Sequence, residues 1–251
     1  YDRFVNWQDR LDFEMPLIKK QLTLMSIKVG RPLYILDSAC GTGMHAIEIV
    51  KQGHHVFGAD LFPEMVKKAK SNATGAGVSV DFRTAGFGKL TKTFSNQTFD
   101  IILCLGNSLP HILSVEELSQ AIQDFHACLN KGGILIIQNR NYDNLMVTRN
   151  RWMEPQAHKD GETEWLFQRF YDFETDGMIR FNIITLKRQI NENWQINIAS
   201  THLRPQSQNE LIQILQTEGF DHIDFLGSMT ASPFDPENSP NLIIIAKLPD
   251  S

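Results

Sequence analysis

The feature that most constrains the fold of this 251-residue chain is a regular alternation of short apolar runs with amphipathic segments over residues 34–138. The runs are typical of buried strands, and the segments between them carry apolar residues at helical spacing. Strands that alternate with helices build a parallel sheet with helices on both faces, so the pattern predicts an α/β fold. The predicted strands comprise residues 34–37, 55–60, 78–82, 99–105 and 134–138.

Two of the predicted helices have recognisable N-terminal caps. Ser114 with Glu117, and Ser207 with Glu210, have the spacing of capping boxes. In a capping box the hydroxyl accepts a hydrogen bond from the backbone N–H three residues later. The second of these helices marks the return of the strand and helix pattern near the C-terminus. Two closing strands are predicted after it, over residues 220–226 and 241–247.

Between these parts, residues 144–204 have a different pattern. Extended segments separated by turn sequences rich in Asp, Asn and Gly predict a three-stranded antiparallel sheet. We therefore expect one domain from residues 1–143 and 205–251, with residues 144–204 as an insertion. Residues 1–24 are expected to form a helix that covers one end of the main sheet. The extended segments are residues 165–173, 178–188 and 194–203.

Composition excludes several classes of protein. Hydrophobic residues make up 42% and charged residues 21%, which is typical of a globular chain. The 24 Lys and Arg against 29 Asp and Glu give a formal net charge of −5, which disfavours nucleic acid as a partner. No apolar stretch approaches the ~18 residues of a transmembrane helix. Three cysteines without a CxxC pair fit a reducing compartment, so we expect a cytoplasmic protein.

A glycine-containing loop, residues 36–43, joins the first predicted strand to its helix. Its sequence is Leu-Asp-Ser-Ala-Cys-Gly-Thr-Gly, and the second strand ends at Asp60. Glycines let a backbone approach a ligand closely, and a carboxylate at Asp60 can accept both hydroxyls of a ribose. The combination predicts a ligand that contains a nucleoside. A dinucleotide fingerprint would place a third glycine at Ala46, where alanine is tolerated, so a nicotinamide dehydrogenase stays an alternative.

The loop and Asp60 together resemble the cofactor site of class I S-adenosylmethionine-dependent methyltransferases. The resemblance covers residues 34–138 and the closing helix and strands. It implies a Rossmann-like, seven-stranded sheet that ends in an antiparallel hairpin. Two further motifs, Gly-Asn-Ser at residues 106–108 and Arg-Asn-Tyr-Asp at residues 140–143, resemble the substrate pocket of glycine and sarcosine N-methyltransferases. The insertion then corresponds to the sheet that covers the substrate cleft in that subgroup.

The resemblance implies a set of residues that bind S-adenosylmethionine and its product S-adenosylhomocysteine. Asp60 would hold the ribose, Asp37 would orient the loop and the methionine amino group, and Gly41 and Gly43 would admit the methionine portion. The alternative role for Asp60 is that of a helix N-cap. The remaining cofactor-binding residues implied in this way are Tyr1, Arg10, Ala39, Leu61, Met65, Phe87, Leu105 and His111.

Arg140 is the most informative residue on the substrate side. It follows a buried strand, and a guanidinium fork suits a carboxylate. The resemblance implies that Arg140 binds the substrate carboxylate with help from Asn107, and that Tyr142 and Tyr171 also bind substrate. The alternative for Arg140 is an ion pair with Asp143.

The predicted activity is methyl transfer from S-adenosylmethionine to a small metabolite, an amine that bears a carboxylate. No catalytic acid or base is assigned, which agrees with attack by an unprotonated amine. No metal is expected, because the histidines lack metal-ligand spacing. One alternative is an O- or N-methyltransferase that acts on a larger molecule without a carboxylate. Another is a non-catalytic module that binds a nucleoside. The oligomeric state is left open.

Overall fold

The structure is a computed structural model of the chain that describes residues 5–250. The first half alternates helices and strands as the sequence predicts. Its elements are α1 (Trp7–Val29), β1 (Tyr34–Asp37), α2 (Met44–Val50), β2 (His55–Asp60), α3 (Pro63–Gly75), β3 (Asp81–Thr84), α4 (Leu90–Thr93), β4 (Phe99–Cys104), a 3-10 turn at Leu109–His111, α5 (Val115–Cys128), β5 (Leu129–Arg140) and α6 (Tyr142–Thr148).

The second half contains the insertion and the closing elements. The insertion is a separate antiparallel sheet, and the chain then adds one helix and two strands to the main sheet. These elements are β6 (Gln156–Asp160), β7 (Thr163–Phe173), β8 (Ile179–Gln189), β9 (Gln195–Leu203), α7 (Gln208–Thr217), β10 (His222–Leu226) and β11 (Asn241–Lys247).

The main sheet has seven strands in the order β10-β11-β5-β4-β1-β2-β3. Strand β11 pairs antiparallel with both β5 and β10, whereas the pairs from β5 to β3 are parallel. The predicted α/β class and the closing hairpin are therefore confirmed. The order reverses between β1 and β4, and ligands of such sheets bind at the carboxyl ends of the strands beside this switch.

Alternate residues of the central strands supply the two cores on either side of the sheet. Leu36 and Ile102 pack with α5 and α7, while their neighbours Ile35 and Ile101 pack with α1, α2 and α3. Both capping boxes form, since Ser114 Oγ accepts from Glu117 N at 3.1 Å and Ser207 Oγ accepts from Glu210 N at 3.2 Å.

Several boundaries differ from the sequence prediction. Helix α1 begins at Trp7, where the Asn6 side chain caps Asp9 N, and it ends at Gly30, which has a φ of 69°. It therefore extends beyond residue 24 to Val29, because no glycine occurs in the chain before Gly30. Strand β3 lies at Asp81–Thr84 and shares only residues 81 and 82 with the prediction of 78–82, and β5 begins at Leu129 instead of residue 134.

The insertion contains four strands, one more than predicted. The additional strand β6 has the sequence Gln-Ala-His-Lys-Asp, which lacks the apolar alternation that identifies strands. It forms by pairing with β7 through a tight turn, where Gly161 has a φ of 57°. A small cluster that includes Tyr142, Tyr171 and Ile179 packs the second sheet against α6. This packing places the second sheet beside the carboxyl ends of the main strands.

The three cysteines are buried as free thiols. Among the helices of residues 5–250, none combines the length and apolar character that a membrane span requires. Within the same residues, no group of His, Cys, Asp and Glu side chains is arranged to hold a metal ion.

Candidate active site

A cavity of about 570 Å³ lies where α1, the carboxyl ends of β4 and β5, and the inner face of the second sheet meet. Strands β7, β8 and β9 contribute the wall opposite the main sheet. The cavity brings together five of the residues that the sequence predicted for the site. These residues are Arg10, Asn107, His111, Arg140 and Tyr171.

Asp60 fixes the glycine loop from the end of β2. Its Oδ2 accepts from Gly41 N at 2.8 Å, and its Oδ1 accepts from Phe62 N at 2.9 Å. The second contact lies just ahead of α3, although the cap position of that helix belongs to Phe62. Each carboxylate oxygen has a second lone pair, so the same oxygens can also accept ribose hydroxyls.

The two loop glycines have different surroundings. Gly41 has a φ of 53°, and a Cβ there would meet no atom within 4 Å. This open space permits a ligand to approach the backbone. Gly43 has a φ of 81°, and its Cβ would lie 2.7 Å from Phe82 Cζ and 2.9 Å from Ala69 Cβ. Gly43 is therefore needed for packing of the loop on the protein core, and its predicted contact with the cofactor stays a prediction.

Asp37 carries a buried carboxylate at the end of β1. Among residues 5–250, its Oδ2 has no hydrogen-bond partner. Burial raises the pKa of Asp37 to about 6, and the charge of Asp60 adds to this effect, while His45 and Arg10 oppose it. A partnerless carboxylate oxygen in a dry site fits a cationic donor such as an ammonium group.

Glu14 was not predicted, yet it is the centre of a polar network beside the cavity. The side chain is buried, and its Oε2 contacts His45 Nε2 at 2.6 Å and Arg10 Nε at 3.1 Å. Its Oε1 accepts from Gln138 Nε2 at 2.9 Å, and Gln138 Oε1 accepts from Gly106 N at 3.0 Å. The network therefore joins α1 to the start of α2, to β5 and to the loop that follows β4.

The lowered pKa of Glu14 shows that this network stabilises the charged form of its carboxylate. Burial alone would raise that pKa, but the hydrogen bond with His45 and the charge of Arg10 lower it to about 2. Arg10 and Glu14 are four residues apart on α1, a spacing that could have flagged the pair. Nothing in the sequence indicates that His45 and Gln138 join them.

Asn107 and Tyr142 form a fixed pair at the end of β4. Asn107 has a φ of 65°, a left-handed conformation that asparagine tolerates better than most residues. Its Oδ1 accepts from Arg140 N at 2.9 Å, and its Nδ2 donates to Tyr142 Oη at 3.0 Å. Tyr142 is buried and does not line the cavity. It supports Asn107 through this hydrogen bond, and its predicted contact with the substrate stays a prediction.

Arg140 lies at the end of β5 with its side chain exposed in the cavity. The charge of its guanidinium acts on the Tyr171 hydroxyl, which lines the same cavity. Burial raises the pKa of Tyr171, and the charges of Arg140 and Arg169 partly offset that effect. The alternative ion pair with Asp143 is not present among the described residues. The Asp143 carboxylate accepts from Gln208 N at 2.9 Å instead.

The other predicted cofactor residues lie around the ends of β1 to β4. Leu61 is 62% exposed, and its Cδ1 is 3.0 Å from where a Cβ on Gly86 would be. Phe87 packs edge-on against Phe125 at 5.8 Å between ring centroids. Leu105 is buried, while Ala39 and Met65 are half-buried, and Tyr1 lies outside the described residues. Their contacts with a cofactor stay predictions.

Comparisons with known proteins decide the family. Residues 35–133 match a family model described as a methyltransferase domain. A glycine/sarcosine N-methyltransferase of Aphanothece halophytica is 32% identical over 201 residues, which cover 75% of this chain and 72% of that protein. The chain belongs to the S-adenosylmethionine-dependent methyltransferases. Within that family it is related to the glycine/sarcosine N-methyltransferases, as the two motifs after β4 and β5 predicted.

Two further comparisons define the extent of the similarity. The glycine/sarcosine/dimethylglycine N-methyltransferase of Actinopolyspora halophila is 31% identical, and the match spans 59% of this chain but 25% of that protein. The crystal structure of an S-adenosylmethionine-dependent methyltransferase from Clostridium acetobutylicum has a TM-score of 0.77 at 18% identity, over 98% of this chain and 93% of that chain. The second comparison confirms the fold over nearly the whole chain.

The residues in place fit S-adenosylmethionine. Asp37 would offer an acceptor for the methionine ammonium, the open space at Gly41 would admit the methionine portion, and Asp60 would accept the ribose hydroxyls. When bound, the cofactor supplies a methyl group on a positively charged sulfur. This methyltransferase would hold the cofactor between α1 on one side and the loops after β1 and β2 on the other.

The buried carboxylate of Asp37 leads to a testable prediction about the stability of the protein. Because the pKa of Asp37 is raised, its ionised form costs stability at pH values above about 6, and the cost disappears as the pH falls towards 3.8. We expect Asp37→Asn to raise the free energy of unfolding of the cofactor-free protein at pH 8 by roughly 1–3 kcal/mol. Urea unfolding at pH 8 and pH 5 would measure the gain, which should shrink at the lower pH.

The same variant should bind S-adenosylmethionine at least about tenfold more weakly, because a charged acceptor for the ammonium is lost. A variant that is less stable than the wild-type protein at pH 8, with unchanged cofactor affinity, would contradict the role given to Asp37.

Proposed function

We propose that this methyltransferase transfers the methyl group to the amine of a small substrate that bears a carboxylate, such as glycine or sarcosine. The observation that carries the proposal is the Arg140 guanidinium, exposed in the cavity at the carboxyl end of β5. The relatives of this chain are N-methyltransferases of glycine and sarcosine, which supports the same substrate class. Residues 1–143 and 205–251 would bind the cofactor, and residues 144–204 would cover the substrate.

Arg140 suits this role because of how its neighbours hold it. Asn107 Oδ1 accepts a hydrogen bond from the Arg140 backbone N–H, and Tyr171 lines the same cavity as the Arg140 guanidinium. A guanidinium fixed at one edge can make two parallel hydrogen bonds to a carboxylate. The substrate would then be anchored at its carboxylate, so that its amine faces the cofactor side of the cavity.

The chemistry requires little beyond this orientation. An unprotonated amine is itself the nucleophile, and it forms a bond to the methyl carbon as the carbon–sulfur bond breaks. The protein contributes by holding the reacting atoms in line, an effect that can supply up to ~7–11 kcal/mol. The extra proton on the product amine leaves to solvent, so no protein base is needed.

Transfer of an isotope-labelled methyl group tests the proposal. The protein and the labelled cofactor would be incubated with pairs of amines that differ only in the carboxylate. The pairs are glycine with methylamine and sarcosine with dimethylamine. The masses of the products would be measured by mass spectrometry. We expect label in glycine or sarcosine and at least about 100-fold less in the matched amines. Equal label in the amines without a carboxylate would overturn the role of Arg140 and favour a substrate of the alternative kind.

A further inference from the structure

The outer face of the second sheet, which points away from the cavity, carries two mainly apolar rows of side chains. Side chains alternate along a strand, so the residues that alternate with the cavity-lining Tyr171, Ile183 and Ala199 point to this outer face. The strand register aligns them across the sheet. The first row consists of Ala157, Leu166, Leu186 and Ile196, and the second of Gln168, Ile184 and Ile198. A sheet face that meets water usually carries polar residues, so these rows indicate a face that is covered.

The described part of the chain, residues 5–250, leaves this outer face open to solvent. Ile196 is 66% exposed and Ile198 is 62% exposed, and eight of the nine residues of β9 are exposed. The apolar side chains of the rows on β7 and β8 are half-buried, because they are flanked by neighbours on the same face. Trp152, which is 57% exposed, packs on Phe170 at the opposite edge of this face. A contiguous apolar patch of this kind marks an interaction surface.

Ion pairs border the apolar rows at both ends of the strands. The pairs are Glu164 with Arg188, Glu174 with Arg180, and Asp172 with Arg151. Lys159 lies opposite Glu164 in the strand register. An apolar centre with a polar rim is the usual composition of a protein interface. Because the charged groups of the rim are paired within one copy, two identical faces can approach each other without strong repulsion between like charges.

The outer face is large enough for a dimer. Its four strands contain 5, 11, 11 and 9 residues. With a rise of ~3.4 Å per residue and a spacing of ~4.8 Å between strands, they cover roughly 600 Å². Two copies packed face to face would bury roughly 1,200 Å² in total, which reaches the range of specific protein interfaces. A second copy of the chain also offers an apolar patch of matching size.

We propose that the outer face of the second sheet is a dimer interface, in which two copies of this chain pack their apolar rows face to face about a two-fold axis. A two-fold interface uses the same patch on both subunits, so the assembly closes at two copies and covers both patches. The spacing of ~10 Å between packed sheets suits the Leu and Ile side chains of the rows. The interface lies behind the wall of the cavity, and the inference is independent of which substrate the cavity holds.

Sedimentation equilibrium of the full chain tests the proposal. We expect a mass of twice the 28.6 kDa of one chain at protein concentrations of about 10–100 μM. Ile196→Lys and Ile198→Lys place charges in the apolar rows, and each should raise the dissociation constant of the dimer at least about tenfold. Both side chains are exposed in one copy, so both variants should fold like the wild-type protein, which circular dichroism would verify.

Two further variants show where the interface lies. Ile27→Lys is the matched control, because Ile27 is 75% exposed but lies on α1, and it should leave the dissociation constant within about twofold of the wild-type value. Trp152→Lys acts at the opposite edge of the outer face, and it should weaken the dimer as the β9 variants do. A loss of the dimer in the β9 variants alone would overturn face-to-face packing and favour pairing between two β9 edges.

Two other results would also overturn the proposal. One is the mass of a single chain at every concentration, which would leave the outer face to a different partner. The other is a dimer that dissociates no more readily with Ile196→Lys or Ile198→Lys than with Ile27→Lys, which would place the contact between copies elsewhere.

Discussion

Arg140→Ala should lower kcat/KM for a carboxylate-bearing amine by about 100-fold, because the variant loses a charge-assisted pair of hydrogen bonds to the substrate. The affinity for S-adenosylmethionine should change by less than about twofold, since the side chain faces the substrate wall. The hydrogen bond from Arg140 N to Asn107 uses the backbone, so the loop after β4 should keep its geometry. Initial rates together with cofactor titration would measure both quantities.

Two matched variants test whether the loss of activity is specific to the guanidinium of Arg140. Arg140→Lys keeps the positive charge but loses the planar fork, so it should recover only part of the loss. Arg180→Ala removes an exposed arginine that pairs with Glu174 on the second sheet, and it should leave kcat/KM unchanged. If Arg140→Ala weakened substrate and cofactor equally, Arg140 would be a structural residue and the carboxylate anchor would be wrong.

Glu14→Gln should lower the free energy of unfolding at pH 7 by about 3 kcal/mol, as a shift in pKa from 4.5 to about 2 implies. The loss is large because Glu14 is buried and contacts His45 and Arg10. Its folded pKa is depressed, so its contribution is present above pH 4.5 and declines as the pH falls towards 2. The difference between variant and wild-type protein should therefore shrink between pH 5 and pH 3, as urea unfolding would show.

The exposed pair of Glu48 and Lys51 provides the control, because Glu48→Gln should cost less than about 1 kcal/mol at either pH. Glu14→Gln should also weaken binding of S-adenosylmethionine, since Arg10 is then no longer held by a carboxylate. A loss of stability that is the same at pH 7 and pH 3 would show that packing, and not the charge of Glu14, makes the difference.

The sequence predicted the main sheet well because buried parallel strands are short, apolar and separated by amphipathic helices. It predicted β6 poorly, because that strand is polar and depends on its neighbour β7 for its structure. The C-terminal end of α1 was predicted at residue 24, but the helix continues to Val29 and is capped by Gly30.

The site residues that lie at strand ends could be predicted from the sequence. The glycine loop, Asp60 and Arg140 follow strand ends, and parallel strands bring their carboxyl ends to one edge. The contacts of Glu14 were not predictable, because His45 and Gln138 are 31 and 124 residues away from it in the chain. The role of Tyr142 as a support for Asn107 depends likewise on a contact between distant segments.

Calorimetry in two steps tests the central claim, that this protein binds S-adenosylmethionine and then a carboxylate-bearing amine. S-adenosylmethionine would be titrated into the purified protein first, and glycine and sarcosine would then be titrated into the form loaded with S-adenosylhomocysteine. We predict binding of the cofactor at one site per chain, followed by binding of the amine that Arg140→Ala abolishes. A well-folded protein that binds no S-adenosylmethionine, or that binds the amine equally with and without Arg140, would contradict the account.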